Sequence, residues 1–425
     1  MLEPNASLLP LKVDQSAIRA VILGEEAESL QEMVRLLDTL SIELQGEYLA
    51  TIRRPHPGTY FGQGKLEEIQ GLFEASDADL LVVDVDLTPN QLKNVEKIFK
   101  RPVIDRSGII LEIFSKHAQT RESKVQVELA RLQYLLPRLT HFWSHFERQR
   151  GGGVGNRGMG EKQLEVDRRL LGRRMNALKD KLEKIKTQRA VQRASREDVL
   201  KVALIGYTNA GKSTLLNALT HSQILAEDKL FATLDSSVRA IDPDCRPPVV
   251  AMDTVGFINK IPTTLVASFR STLEVCHEAD LLLHVVDSSS HQIKEEIRVT
   301  QELLGELDLQ DKPIFIILNK KDQLKDRGQI NQAKLLAPGS LMISALDQSD
   351  VEKLRTQVLN HFKKGLHLIE ILIPYSESRV DSMVHQYGMI EVQRFMEKGT
   401  FYRVRIQKRW AEKLRLEEFQ LGEVM

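Results

Sequence analysis

Gly206, Gly211, Lys212 and Ser213 stand in the spacing G-x-x-x-x-G-K-[ST], with Tyr207, Thr208, Asn209 and Ala210 between the glycines and Thr214 after the serine. That spacing suits a phosphate cradle. Glycines let the backbone curl so that successive N–H groups point inward, at the positive end of the helix that follows. Lys212 is placed to neutralise the β- and γ-phosphates of a bound nucleotide, and the Ser213 hydroxyl to ligate Mg²⁺. The apolar run Val202–Ile205 before the loop and TLLNALTH after it supply the strand and helix that the cradle requires.

Three further stretches follow in the order that a guanine-nucleotide hydrolase needs. After the strand-like PPVVAM comes Asp253-Thr254-Val255-Gly256. Asp253 can hold Mg²⁺ through water, and the Gly256 N–H can meet the γ-phosphate. After KPIFIIL comes Asn319-Lys320-Lys321-Asp322. The Asp322 carboxylate can accept from both N1–H and the exocyclic amine of guanine, a donor pair that adenine lacks. Ser344-Ala345, at the end of SLMI, fits a loop closing over the base. Each short motif is weak alone. Their shared order, each behind a strand, makes the joint match strong.

Between the first two motifs lies DKLFATLDSSVRA. A nucleotide switch needs a hydroxyl here that swings onto Mg²⁺, and Thr233 is the first choice, with Ser236 and Ser237 behind it. Phe231, Ala232, Leu234 and Asp235 are expected to line the nucleotide beside it. Lys212, Thr233 and Gly256 then carry the chemistry; Ser213 and Thr233 hold the metal directly. Small GTPases of the Ras type place a Gln just after DxxG to orient the attacking water. Here that residue is Phe257, whose ring cannot hydrogen-bond water, so unaided hydrolysis is expected to be slow.

These sites sit in a chain of 425 residues, a length that suggests about three domains. No apolar run approaches the roughly 18 residues of a membrane span. The first residues, MLEPNASLLPLKVD, carry Glu3 where a signal peptide has cations, and Cys245 and Cys276 are too few for a zinc cluster or disulfide framework. A reducing cytoplasm is the expected location; membrane association is not indicated but stays open. Net charge is zero, which excludes a uniformly basic coat. Residues 141–200 nonetheless hold fifteen Lys plus Arg against eight Asp plus Glu. That excess suits a phosphate backbone or, equally, a solvated helix face.

The expected organisation is α/β throughout, in four parts. Residues 1–119 alternate strands (17–24, 79–86) with helices (28–40, 65–76) as a small α/β domain. Residues 120–196 carry two apolar stripes. Val125, Leu129, Leu132, Leu136 and Trp143 form one, broken by Pro137; Leu164, Leu171, Leu178 and Ile185 form the other, with Met175 and Leu182 between. An antiparallel helical hairpin follows, with GGGVGNRGMG (151–160) at its tip. Residues 197–365 are the nucleotide domain. Residues 366–425 read as a small α+β appendage, with strands at 367–374 and in GMIEVQRF and GTFYRVRIQ, and a helix at 378–387. Gly62-Gln63-Gly64-Lys65 suits a turn opening a helix better than a second phosphate loop. His56 and His117 suit polar surface or capping positions better than metal ligation.

RRPHPGTYFGQGKLEEI (53–69), RGGGVGNRGMGEKQLEVDRR (150–169), GYTNAGKSTLLNALT (206–220) and LFATLD (230–235) resemble the signatures of HflX-type GTPases, relatives of the Obg group, over residues 20–365. There are departures. Asn156-Arg157-Gly158-Met159-Gly160-Glu161-Lys162 stands where that family usually has Thr-Arg-Gly-Pro-Gly-Glu-Thr, and LDSSVR replaces LDPTTR. A monomer that uses Mg²⁺ is expected; the resemblance implies that it converts GTP to GDP, binds the large (50S) ribosomal subunit and splits stalled or stress-trapped ribosomes. It implies further that the N-terminal domain and hairpin contact ribosomal RNA. Arg150 and Arg157, in or beside the glycine-rich tip, could then pair with phosphates or stack on splayed bases; the alternative is a pliable link between two helices. Two other functions stay open: an assembly GTPase acting on precursor particles, and a regulatory RNA- or ribosome-binding module for which GTP is only a ligand.

Overall fold

In the computed structural model, residues 8–9, 17–139, 157–194, 199–220, 231, 238–242, 245–258 and 275–420 are described, the side chains of 157–164 and 189–194 excepted. The chain forms two compact units. One comprises the described residues as far as Ala190 together with Phe231 and Ile258; the other comprises the rest.

The first unit begins with a parallel sheet of order β2-β1-β3-β4. Its strands are β1 (Arg19–Gly24), β2 (Glu43–Leu49), β3 (Leu80–Val83) and β4 (Val103–Asp105). The strand β3 is the run LLVV, buried along its whole length, as expected of a strand covered on both faces. Helices α1 (Ala27–Thr39), α2 (Gln63–Ala75), α3 (Pro89–Phe99) and α4 (Arg106–His117) connect and follow these strands. Thr88 and Gln91 form a reciprocal capping box that starts α3, with Pro89 at its first turn. Gln63, in the glycine-bounded GQGK stretch, opens α2. His56 sits in the loop before it, its Nδ1 within 3.2 Å of the Gly58 N–H.

Thr120 caps α5 (Arg121–Leu135) by accepting from Ser123 N–H at 3.1 Å. A single 3₁₀ turn (Leu136–Arg138) follows, where Pro137 can give no N–H to an α-helical ladder. The second long helix, α6, spans Arg157–Ala194. Val125, Leu129, Leu132 and Leu178 form the seam between α5 and α6, with Leu171, Met175 and Leu182 packed against it. Arg174 clamps Glu128 beside this seam through two hydrogen bonds of 2.7 and 3.1 Å. The glycine-rich tip was expected to run to residue 160, but α6 already starts at Arg157. Helix formation therefore reaches through Gly158 and Gly160. Arg150, Trp143 and residues 151–156 lie outside the described residues, as does the side chain of Arg157.

The second unit contains a six-stranded sheet of order β10-β9-β8-β5-β7-β6. It is built from β5 (Leu200–Ile205), β6 (Val238–Asp242), β7 (Val249–Asp253), β8 (Leu281–Asp287), β9 (Ile314–Asn319) and β10 (Leu341–Met342). All pairings are parallel except β6 on β7. Its helices include α7 (Lys212–Leu219), α8 (Ile293–Glu306), α9 (Arg327–Leu336) and α10 (Gln348–Gly365). One face buries Val202, Leu204, Leu283 and Val285 under α7 and α10; the other buries Ala203, Ile205 and Leu282 with Phe257 and Leu304. This doubly wound arrangement brings the loops at 206–211, 253–256, 319–322 and 344–345 to the carboxyl ends of the strands, where such folds bind ligands.

The chain continues into an antiparallel sheet of order β11-β13-β12, made of β11 (His367–Pro374), β12 (Met389–Met396) and β13 (Gly399–Ile406). Helices α11 (Ser378–Tyr387) and α12 (Lys408–Lys413) accompany it, and Ile371, Ile373, Tyr402, Val404 and Trp410 share its core. The fold is thus α/β with a nucleotide-binding core and a small α+β terminus.

Candidate nucleotide site

Glycine is required at two positions of the phosphate loop. Gly206 has φ +141°, and a Cβ there would lie 2.1 Å from the Val285 carbonyl oxygen of β8. Gly211 has φ +89°, and its Cβ would lie 2.3 Å from Asn319 Nδ2. Any side chain would force the loop off its neighbouring strands. Between them Asn209 also takes a left-handed conformation, φ 60°, completing the curl.

Lys212, at the first turn of α7, is buried and turns its Nζ back into the loop, donating to Gly206 O at 3.1 Å and Tyr207 O at 2.7 Å. Burial pushes its pKa down to about 8, against the pull of Asp253 and Glu296. Ser213 Oγ donates to Asp253 Oδ2 at 2.7 Å, so the two expected metal-binding groups, 40 residues apart in sequence, converge. Hydroxyl and carboxylate oxygens are the hard donors that Mg²⁺ prefers. Asp253 is buried, and its other oxygen accepts from Thr254 N–H at 2.9 Å. Thr254 Oγ1 in turn donates to Leu204 O at 2.6 Å, tying the DxxG segment to the strand before the loop.

Gly256 lies against the phosphate loop, where an added Cβ would stand 2.8 Å from Thr208 Cγ2 and 3.0 Å from Lys212 Nζ. Its neighbour Phe257 is 2 % exposed. Phe257 N–H donates to Gly206 O at 3.0 Å, and Phe257 O accepts from Thr208 N–H at 2.6 Å. The residue that replaces a water-orienting glutamine thus has its ring in the core and its backbone on the cradle. Thr233, with Ala232, Leu234 and Asp235, lies outside the described residues. Phe231 is described and belongs to the first unit.

The base end is assembled by side chains from three loops. Asn319 is buried; it donates from Nδ2 to Ala210 O at 2.9 Å and accepts from Ala345 N–H at 3.0 Å. It ties the phosphate loop to the 344–345 loop. Lys320 takes a left-handed conformation and pairs with Asp287 at 2.8 Å. Asp322 is exposed, and its Oδ1 accepts from Ser344 Oγ at 2.5 Å. Lys321 pairs with Asp350, which also accepts from Ser344 N–H at 3.1 Å.

The structure therefore brings together residues 206–214, 253–256, 319–322 and 344–345. Asp287 and Asp350 were missed at sequence level. Asp287 had a signal, since it ends the apolar run LLLHVVD in the strand-end position of the other motifs. Asp350 had none, because its role depends on where α10 begins.

Comparison with known proteins agrees with this geometry. Residues 27–115 match the family model described as GTP-binding GTPase N-terminal, 117–196 the GTP-binding GTPase middle region, and 201–320 the 50S ribosome-binding GTPase. The chain is 43 % identical to a GTPase HflX of Magnetococcus marinus over 85 % of this chain and 84 % of that one. It is 39 % identical to GTPase HflX of Escherichia coli over 88 % and 89 %. Among solved structures it is similar to a GTP-binding protein from Sulfolobus solfataricus in complex with GDP, with 26 % identity, a TM-score of 0.43 and coverage of 80 % of this chain and 100 % of that one. With such identity to named relatives along most of its length, and the phosphate loop, DxxG, NKxD and Ser344-Ala345 segments brought together among the described residues, the chain belongs to the HflX family of GTPases and hydrolyses GTP.

Proposed function

We propose that this GTPase associates with the large ribosomal subunit and uses GTP binding to separate stalled or stress-trapped ribosomes into subunits. The observation that carries the reading is the match of residues 201–320 to the 50S ribosome-binding GTPase model, in a chain whose α6 offers Arg169, Arg173, Lys179, Lys181 and Lys184 on its exposed sides. Such a face suits a phosphate backbone.

In this reading GTP lies with its phosphates over residues 206–213 and its base between Asp322 and Ala345. Lys212 leaves the Gly206 and Tyr207 carbonyls to neutralise the β- and γ-phosphates. Backbone N–H groups at the start of α7 take the remaining phosphate oxygens. Ser213 and, through water, Asp253 would hold Mg²⁺, which supplies charge neutralisation on those phosphates; Thr233 would complete its protein ligands. Gly256 N–H meets the γ-phosphate. Phe257 offers attacking water no hydrogen bond, so hydrolysis waits on a group or an ordering supplied by the ribosome.

Residues 1–119 with the hairpin of 120–196 form the RNA-facing part, residues 197–365 the GTPase part and 366–425 the appendage. Arg150 and Arg157 contact ribosomal RNA at the hairpin's tip. The active species is a cytoplasmic monomer.

The test is sedimentation of intact ribosomes incubated with the protein and a nonhydrolysable GTP analogue. Loss of the intact-ribosome peak supports the reading. Co-migration with precursor particles, without splitting, would replace it with an assembly role, and binding without either effect with a regulatory one. Arg157→Ala with the glycines kept tests the tip: undiminished binding and splitting would remove Arg157 from the RNA contact.

A further inference from the structure

Asp322 is exposed, so packing does not fix the carboxylate that must read two guanine donors. Its orientation comes from Ser344, whose hydroxyl donates to Asp322 Oδ1 at 2.5 Å. Ser344 is buried, and the place of its hydroxyl follows from the place of its backbone. That backbone is held by a residue six positions later. Asp350, in the first turn of α10 and only 4 % exposed, accepts from Ser344 N–H at 3.1 Å through Oδ2. The same Oδ2 receives the ammonium of Lys321, the residue next to Asp322, while Oδ1 accepts from Lys353 at 3.3 Å.

One carboxylate thus closes a ring. It runs from Asp350 to Lys321, along the chain to Asp322, across to the Ser344 hydroxyl, and back through the Ser344 N–H. We infer that Asp350 is a positioning residue for guanine recognition, acting through Lys321 and Ser344 to hold the Asp322 carboxylate square to the two donors of the base. The inference rests on the guanine reading of this site and adds the source of its selectivity.

The charge of Asp350 suits the task. Burial alone would raise its pKa, but the Lys321 ammonium, the Ser344 N–H and Lys353 outweigh burial and hold it below the usual carboxylate range. It is ionised wherever the protein is folded near neutral pH. The bland role for an acidic residue in a first helical turn is to complement the helix dipole. That role would not require its carboxylate to bond to both loops of the base site.

The two roles separate by ligand. Inosine nucleotides keep N1–H but lack the exocyclic 2-amine, so only a correctly oriented Asp322 distinguishes GDP from IDP. Dissociation constants of GDP, IDP and ADP are measured on the full chain and on Asp350→Ala and Asp350→Asn. The asparagine keeps an acceptor for Ser344 N–H and loses the charge for Lys321, and it serves where the alanine variant fails to fold. The expected result is a GDP-over-IDP preference lowered by about tenfold in Asp350→Ala and by less in Asp350→Asn, the scale of one charged hydrogen bond. KM for GTP rises while kcat at saturating GTP holds, because the phosphate end is untouched.

Equal weakening of GDP and IDP in both variants, or no change in either, overturns the inference and leaves Asp350 a helix-end residue. If the unmodified chain binds ADP as tightly as GDP, the guanine reading fails, and the inference fails with it.

Discussion

The ring of Phe231 meets the ring of Phe114 edge to face, with centroids 4.8 Å apart and planes at 76°. Phe114 lies in α4, beside the N-terminal sheet; Phe231 follows the phosphate loop in sequence, two residues before the candidate switch threonine. Phe231 is 3 % exposed and has φ 57°, a left-handed conformation that a bulky side chain adopts only when its surroundings hold it there. Phe231, two residues before the candidate switch threonine in sequence, is thus seated with Phe114 in the first unit.

The first prediction follows from that seat. If a triphosphate draws Thr233 toward the metal, Phe231 must move with it, and its hold on Phe114 changes with nucleotide state. Phe114→Leu keeps an apolar side chain and removes a ring pair worth about 0.5–1.5 kcal/mol. GTP affinity should stay within a few-fold of the unmodified chain. The ratio of large-subunit affinities between triphosphate- and diphosphate-loaded protein should shrink, by up to about tenfold. Binding isotherms on purified subunits measure it. An unchanged ratio would show that this contact does not carry the signal.

The second concerns the rate. With the Phe257 ring buried and its backbone on Gly206 and Thr208, nothing at that position orients water. The isolated chain should turn over GTP on the order of 10⁻³ per second or slower, as intrinsic GTPases do without help. Added large subunits should raise that rate by at least about tenfold if they supply the missing group or ordering. Single-turnover phosphate release, with and without subunits, decides. A basal rate already equal to the stimulated one would remove the need for any partner in the chemistry.

How legible this molecule is from sequence depends on where the information sits along the chain. The phosphate loop announces itself because strand, glycines, lysine and helix are contiguous. The α5–α6 seam announces itself because Leu171 and Leu178 stand seven residues apart with Met175 and Leu182 at helical spacing between and after them, whereas Ile185, next in the heptad, is not part of the packed cluster. Edge and very short strands leave fainter traces. In β2, ELQGEYL alternates partly buried and exposed residues and carries a central glycine, as an edge strand can; β4 has only three residues. At the site, residue types were legible but their bonding was not. Asn319 belongs to a base-recognition motif, yet its side chain bridges Ala210 and Ala345. The link from Asp350 to Asp322 and the seat of Phe231 on Phe114 arise from contacts far apart in sequence, and no local pattern encodes them.

The third prediction tests the base end directly. Asp322 accepts, and guanine offers two donors; Asp322→Asn replaces one acceptor oxygen with a donating amide. Preference for GDP over ADP should fall by two orders of magnitude or more, since a site built to pair a polar group rejects a ligand that cannot pair, at about 10⁴–10⁵-fold in favourable cases. Xanthosine diphosphate, which presents a carbonyl where guanine has its amine, should gain affinity. Competition against a fluorescent guanine nucleotide measures both. Guanine preference that survives the substitution would remove Asp322 from base recognition.

The last prediction uses the perturbed lysine. Lys212 has its pKa pushed down to about 8 by burial, so without a nucleotide it begins to lose its proton just above physiological pH. Phosphate oxygens beside Nζ favour the ammonium and raise that pKa in the complex. Binding above pH 8 therefore takes up a proton. GDP affinity should be flat from pH 6.5 to 8 and then weaken with rising pH, at a slope approaching tenfold per unit, until the pKa of the complex is reached. Stability of the nucleotide-free chain shifts the other way. The folded pKa lies below the unfolded value near 10.5, so the destabilisation from burying the charge is full below about pH 8 and fades as pH rises toward 10.5. Lys212→Arg, whose charge persists at every pH used, should bind more weakly but lose the pH dependence of binding. Calorimetric titrations in buffers of different ionisation enthalpy count the proton directly. If unmodified protein takes up none at pH 9, Lys212 is already neutral in the complex or fully charged without it, and electrostatic capture of the phosphates through a proton-coupled lysine is excluded.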